Sequence, residues 1–174
     1  MNKKGFTLIE LIATITILSI IMMVAIPNVI SITRKNKNQT YINDARKMVT
    51  LAKYRFESDA NIPRPTNDIP IVILLNALDK SELQKGPENG KYDVNRSFVK
   101  IIYDSSENKY VYSVQIAEEQ NENEEGTKKY KGIILAKYSD IIEINAKNTF
   151  IKTGTASQFQ KGSQVQSDPN RLIQ

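Results

Sequence analysis

Residues 1–37 read MNKKGFTLIELIATITILSIIMMVAIPNVISITRKNK, and this stretch decides how the chain is organised. From Leu11 to Thr33 it holds no charged residue, and a membrane-crossing helix needs about 20 predominantly apolar residues. We therefore predict a helix long enough to span a bilayer. Glu10 lies at the edge of this run, shortly after Gly5. A carboxylate at this position is unusual for a helix that only anchors a protein in a membrane. The stretch thus predicts an anchor with a second role.

A secretory signal peptide is the first alternative for this segment, because Lys3 and Lys4 form a basic start before the apolar run. Signal peptides usually have an apolar region of about 7–15 residues that ends at a small-x-small cleavage site. The run here is longer, and residues 25–28 (AIPN) lack the small pair. A retained anchor is therefore favoured over a cleaved signal peptide.

The composition excludes several classes of function. The 174 residues include no cysteine and no histidine, which rules out disulfides, thiol nucleophiles and histidine-based metal or catalytic sites. The formal net charge of +5 is spread along the chain, so no nucleic-acid partner is expected for the isolated chain. No enzyme activity, cofactor or metal is predicted.

Glu10 itself has two interpretations. A carboxylate near the end of a membrane helix lies close to the headgroups and is favourable at a helix N-terminus. Alternatively, it pairs with a positive group inside the membrane, since buried charges there are functional and partnered.

The order Lys3-Lys4-Gly5-Phe6-Thr7-Leu8-Ile9-Glu10, followed by an apolar helix, resembles the N-terminus of type IV prepilins. The resemblance implies that a membrane prepilin peptidase cuts the Gly5–Phe6 bond and methylates the new amine of Phe6. Glu10 matches the acid of that family, and Pro27 falls where its helices often carry a proline. The likeness is specific over about 30 residues and only general beyond Asp59.

This resemblance implies a role for each of these residues. Gly5 has no side chain, so its peptide bond can enter a tight protease site. The cut creates a cationic amine on Phe6, which Glu10 of a neighbouring subunit can neutralise in hydrocarbon. Pro27 lacks an N–H, so a kink or local melting of the helix is expected there.

The expected fold is α+β and pilin-like, with a long N-terminal helix packed on a small antiparallel sheet. Its domains are a cytoplasmic leader (1–5), a hydrophobic transmembrane or filament-core helix (6–33), a globular domain (34–154) and a polar C-terminal tail (155–174). The first half of the helix spans the membrane.

Periodicity predicts the elements of the globular domain. An apolar face continues the helix to about Glu57, at Tyr41, Ala45, Met48, Val49, Ala52 and Phe56. The further predictions are a short helix over 71–83, strands over 98–103, 110–117 and 130–136, an element of either type over 141–151, and a mobile tail over 155–174. Because the chain has no C-terminal cysteine pair, residues 155–174 are either held against the rest of the domain by packing or not held at all.

An acidic run is predicted to be a solvated loop, with calcium binding as a weak alternative because calcium takes six to eight oxygens. Its members are Glu118, Glu119, Glu122, Glu124 and Glu125.

The predicted function is a structural subunit of a type IV pilus or related filament. The alternatives are a pseudopilin of a type II secretion or DNA-uptake system and, from another class, a single-pass membrane-anchored binding protein. The resemblance implies as partners the prepilin peptidase, other pilin subunits, an assembly platform protein with its ATPase, and membrane lipid. The implied location is the membrane, with a single pass, and then a filament on the cell surface.

Overall fold

The computed structural model describes residues 7–79, 81, 83, 85–120, 127–143 and 148–174. The chain divides into two compact units, Met1–Asn36 and Lys37–Gln174. One helix, α1 (Leu8–Ser58), begins in the first unit and ends in the second.

The first unit consists of an exposed apolar helix. Every residue from 7 to 36 is exposed, and α1 is the one helix of the described chain that is long and apolar enough to cross a membrane. Its polar side chains donate hydrogen bonds to backbone carbonyls three or four residues earlier, at Thr14, Thr16, Ser19, Asn28 and Thr33. Because these groups are satisfied on their own helix, the segment can enter an apolar environment without a polar partner.

Pro27 lies inside α1, and residues on both sides of it are helical. Its ring nitrogen carries no hydrogen, so the Met23 carbonyl lacks the usual helical donor. The kink at Pro27 stays a prediction.

In the second unit, α1 buries the face that the periodicity predicted. Its buried residues are Asn38, Tyr41, Ile42, Ala45, Met48, Val49, Ala52 and Phe56. The helix ends at Ser58, close to the predicted end at about Glu57.

A six-stranded sheet packs against this face of α1, which confirms the predicted α+β class. Its strands are β1 (Ile71–Leu74), β2 (Phe98–Asp104), β3 (Lys109–Glu119), β4 (Lys129–Lys137), β5 (Ile151–Thr155) and β6 (Leu172–Ile173). The spatial order is β5-β4-β3-β2-β1-β6, and only the β1–β6 pair is parallel. The three strands predicted over 98–136 are therefore confirmed as β2, β3 and β4.

The helix predicted over 71–83 is wrong. Ile71–Leu74 forms β1, with Ile71 opposite Ile101, and a 3-10 turn at Leu75–Ala77 is the only helical turn among the described residues of this range. The apolar spacing there fits a helix, but the β-branched run IVI is buried on both faces and favours a central strand.

The ambiguous stretch 141–151 contains both types of element. Helix α2 (Tyr138–Glu143) precedes it and extends into it, and residues 144–147 lie outside the described chain. A 3-10 turn at Asn148–Phe150 then leads into β5.

The prediction of a mobile tail over 155–174 is also wrong. This segment contains a short helix, α3 (Gly162–Val165), and β6, and the Phe159 side chain is completely buried. It covers the face of the sheet opposite α1, where Val72, Leu74 and Phe98 pack with Leu172. The fold thus has three layers: helix, sheet and C-terminal segment.

Polar side chains hold this third layer against the sheet, since the chain has no cysteine to form a disulfide. The Gln115 amide donates hydrogen bonds of 2.7 Å to the carbonyls of Arg96 and Gln160, and the Arg96 guanidinium donates to the Ala156 carbonyl at 2.9 Å. Arg96 also donates to the Phe159 carbonyl. The C-terminal segment is therefore held by apolar packing and by hydrogen bonds from side chains to its backbone carbonyls.

Candidate processing and assembly site

Glu10 lies in the first turn of α1 and forms a reciprocal cap with Thr7. The Glu10 carboxylate accepts hydrogen bonds from the Thr7 backbone N–H at 2.8 Å and from the Thr7 hydroxyl at 2.7 Å. In return, the Glu10 backbone N–H donates to the Thr7 hydroxyl oxygen at 3.3 Å. This arrangement is a capping box, which satisfies two otherwise unpaired donors of the helix end.

Sequence reasoning did not single out Thr7 as the partner of Glu10. The signal was available, because Thr7-Leu8-Ile9-Glu10 has the T-x-x-E spacing of a capping box before an apolar run. Among the described residues, Glu10 makes no ion pair. A carboxylate has about four lone-pair sites, so it can accept from Thr7 and from a further donor at the same time.

The apolar side chains that follow Glu10 are uncovered in the single chain. From Leu8 to Ile32 each large apolar side chain is at least half exposed, and Met23 reaches 80%. A soluble monomer rarely exposes a continuous apolar surface of this size. Lipid or other apolar helices must therefore cover it.

A second cluster, in the globular unit, surrounds Glu118. Its side chain is completely buried and accepts hydrogen bonds from the backbone N–H of Glu88 at 3.1 Å and of Gly90 at 2.6 Å. The Tyr41 hydroxyl of α1 donates to the same carboxylate. We call this group of Glu118, Tyr41 and loop 86–90 the Glu118 cradle. The predicted solvated position of Glu118 is wrong.

The two glycines of the loop permit this close approach. A Cβ atom at Gly86 would lie 2.2 Å from the Glu118 carboxyl carbon. One at Gly90 would lie 2.1 Å from the Glu119 carbonyl oxygen. No side chain fits at either position without movement of the loop.

Burial and hydrogen bonds around the cradle shift several pKa values. Burial raises the pKa of Glu118, and the hydrogen bonds from Tyr41 and the loop offset this only in part. Burial likewise raises the pKa of the Tyr41 hydroxyl. For Glu88, burial opposes ionisation, but its bonds to Lys131 and to Lys37 (2.5 Å) lower the pKa overall.

The cradle is not a calcium site. The Glu118 oxygens face hydrogen-bond donors, whereas calcium needs a shell of oxygen acceptors. No group of acidic side chains with metal-binding geometry occurs in the described ranges. Glu122, Glu124 and Glu125 of the calcium hypothesis lie outside them.

Comparison with known proteins supports the interpretation of the N-terminus. Residues 1–26 match the family model described as the prokaryotic N-terminal methylation motif. The type IV wide pilus major component PilA4 of Thermus thermophilus is 50% identical to this chain over 50 residues. This chain has a type IV pilin-like N-terminus.

The likeness is confined to part of each protein. The alignment with the Thermus pilus component covers 26% of this chain and 37% of the relative. No solved structure is significantly similar to this chain. The pilin-like segment includes Gly5 and Phe6, which lie outside the described residues, together with the capped Glu10.

Proposed function

We propose that the chain is a structural, non-catalytic subunit of a type IV pilus or a related filament. It enters the membrane as a prepilin, is cut between Gly5 and Phe6, and is methylated on the new amine. The methylation motif over residues 1–26 supports this assignment. The observation that carries it is the uncovered apolar helix that begins within this motif, which needs both a membrane and, later, neighbouring helices.

Glu10 links processing to assembly. In the single chain its carboxylate is occupied by Thr7 of the same helix, so it can reside at the membrane edge without a partner. Cleavage leaves Thr7 as the second residue of the mature chain, so the cap persists. When a neighbour's Phe6 amine approaches, Glu10 supplies the negative charge that makes burial of that amine tolerable.

The assembly role of Glu10 is tested with Glu10→Leu as the only subunit in the host. This variant should be cleaved and should remain in the membrane, because losing a charge favours insertion. It should nevertheless form over a hundredfold less filament, since breaking a buried ion pair costs roughly 3–5 kcal/mol. Electron microscopy of sheared surface filaments, with an immunoblot of the membrane fraction, measures both quantities.

Glu57→Leu is the matched control, because Glu57 is an exposed acid of the same helix within the globular unit. It should assemble normally. Normal filament yield from Glu10→Leu would remove the assembly role of Glu10. Failure of both variants would show that filament formation is sensitive to any such change.

A further inference from the structure

Loop 86–90 contains an Asn-Gly step, Asn89–Gly90, that has no part in the proposed function. A glycine nitrogen attacks the side-chain carbonyl of a preceding asparagine readily, because glycine has no side chain to hinder the approach. Asn89 is exposed, so water reaches its side chain. The step is therefore a candidate site of spontaneous deamidation.

Deamidation of this step needs only water as a co-reactant. The Gly90 nitrogen forms a bond to Cγ of Asn89, its proton passes through solvent to the departing side-chain nitrogen, and ammonia leaves. Water then opens the five-membered imide and gives aspartate or isoaspartate, in which the main chain runs through the former side chain. The reaction requires a free Gly90 N–H and a peptide unit that can turn toward Asn89.

Hydrogen bonds fix the peptide units on both sides of Asn89 in the folded chain. The Gly90 N–H donates to the Glu118 carboxylate at 2.6 Å. The Gly90 carbonyl accepts from the Gly86 N–H at 2.9 Å, and the Asn89 N–H donates to the Gly86 carbonyl at 3.0 Å. The attacking nitrogen is thus engaged with the Glu118 cradle.

Packing leaves the Gly90 backbone little room to turn. A Cβ atom there would lie 2.1 Å from the Glu119 carbonyl oxygen and 2.9 Å from the Glu118 side chain. The Glu119 N–H donates to the Lys91 carbonyl at 2.8 Å, so the next residue is tied to the same strand. On the other side, the Glu88 N–H donates to Glu118 at 3.1 Å. Attack therefore requires the loop to leave the cradle.

The product does not fit the closed loop. Isoaspartate at position 89 adds one carbon to the main chain of a loop whose ends are joined by the hydrogen bond between Gly86 and Gly90. The longer loop cannot keep this bond and the Gly90 bond to Glu118 in their present form. The closed cradle and the modified loop therefore exclude each other.

We propose that Asn89–Gly90 is a deamidation site that the Glu118 cradle keeps unreactive while the cradle is closed. Chains whose cradle has opened react, and isoaspartate at position 89 then keeps the loop from closing. The step thus converts a transient separation of loop 86–90 from Glu118 into a covalent change. This inference does not depend on the proposed function.

The protection is tested on the full-length chain in detergent and neutral buffer. Peptide mass spectrometry follows deamidation at Asn89 in the folded chain and in the same chain held unfolded in urea. The folded chain should react at least about tenfold more slowly, because attack must wait for a local opening. An equal rate would overturn the proposal, and so would a faster rate in the folded chain, since Glu118 would then promote the attack.

Variants of Glu118 identify the source of the protection. Glu118→Ala removes the acceptor of the Gly90 N–H and should raise the rate in the folded chain at least about fivefold. Glu118→Gln retains an oxygen acceptor, so its rate should stay closer to that of the wild type. Asn108 is the internal control, because it has the same left-handed backbone (φ 50) and precedes the opposite end of β3. Its deamidation rate should be equal in all three chains.

Circular dichroism shows which variants are folded. If Glu118→Ala is unfolded, Tyr41→Phe replaces it, because this change removes only one hydroxyl donor to Glu118. A wild-type rate at Asn89 in the folded variant used would overturn the proposal. Hydrogen exchange of loop 86–90 should be faster in chains that carry isoaspartate than in unreacted chains. Equal exchange would overturn the claim that the product keeps the loop open.

Discussion

Thr7 and Glu10 form a capping box that satisfies the Glu10 carboxylate on its own chain. The carboxylate retains lone pairs, so under the proposed function it can also accept a hydrogen bond from a neighbour's amine. In the same proposal, Gly5 and Phe6 act earlier, at the cleavage that would create this amine.

Gly5→Leu should block processing, because a branched side chain crowds the scissile bond in a tight protease site. Unprocessed protein should accumulate in the membrane, which mass spectrometry detects as a chain that begins at Met1. The control Asn2→Leu places the same side chain elsewhere in the leader and should mature normally. Normal maturation of Gly5→Leu would remove Gly5–Phe6 as the cleavage site.

Gly90→Ala should destabilise the globular domain by roughly 1–3 kcal/mol. The added Cβ lies 2.1 Å from the Glu119 carbonyl oxygen, so the loop must move and release its hydrogen bond to Glu118. Urea unfolding of the chain in detergent measures the loss. Gly154→Ala is the control, since its Cβ would meet only the flexible end of Gln158 and should cost less.

The sequence predicts some of these residues better than others. The Thr7–Glu10 cap is local, so its spacing is visible in a window of four residues. The burial of Glu118 is not local, because its donors come from α1 and from loop 86–90, 28 or more residues away. From the sequence alone, a polar residue beside other polar residues is therefore predicted to be solvated, because its hydrogen-bond partners are distant in the chain.

At the scale of elements, long periodic segments were predictable and short ones were not. The amphipathic half of α1 and strands β2 to β4 carry patterns that extend over seven or more residues. In β1 and in the C-terminal segment, a few apolar residues decide the structure. Phe159 stands alone among Ser, Gln and Lys, and Leu172 belongs to a single apolar pair with Ile173, so only tertiary packing shows that they complete a core.

The ion pairs of Glu88 join α1 to β4 through Lys37 and Lys131 and make stability depend on pH. Because the pKa of Glu88 is lowered in the folded state, its contribution is present above the unfolded pKa, about 4.3, and is lost as pH falls through the folded value. Glu88→Gln should lower the free energy of unfolding by about 1 kcal/mol at pH 7 and by less at about pH 3.

Urea unfolding of both proteins at the two pH values checks this prediction. The raised pKa of Glu118 acts in the opposite sense, and the charge of Glu88 is only the smallest of its causes, so replacing Glu88 changes this contribution little. An equal difference at pH 7 and pH 3 would contradict the assigned role of the Glu88 carboxylate.

At the scale of the whole molecule, the two units differ in burial, because the first exposes its apolar side chains and the second buries them. The second unit has its own core of α1, sheet and C-terminal segment, and it includes Lys37, which pairs with Glu88. A fragment that spans residues 34–174 should therefore be soluble, folded and monomeric, because the apolar segment that would join subunits is gone. Circular dichroism and light scattering check this, and a stable oligomer or an unfolded chain would count against it.

Under the proposed function, a processed subunit is built into filaments through its N-terminal helix. Mass spectrometry of the N-terminal peptide from sheared, washed filaments of the native host tests this. The chain should be present there and should begin at Phe6 with a methylated amine. A chain that is absent from the filaments, or that begins at Met1 or near Asn28, would contradict it.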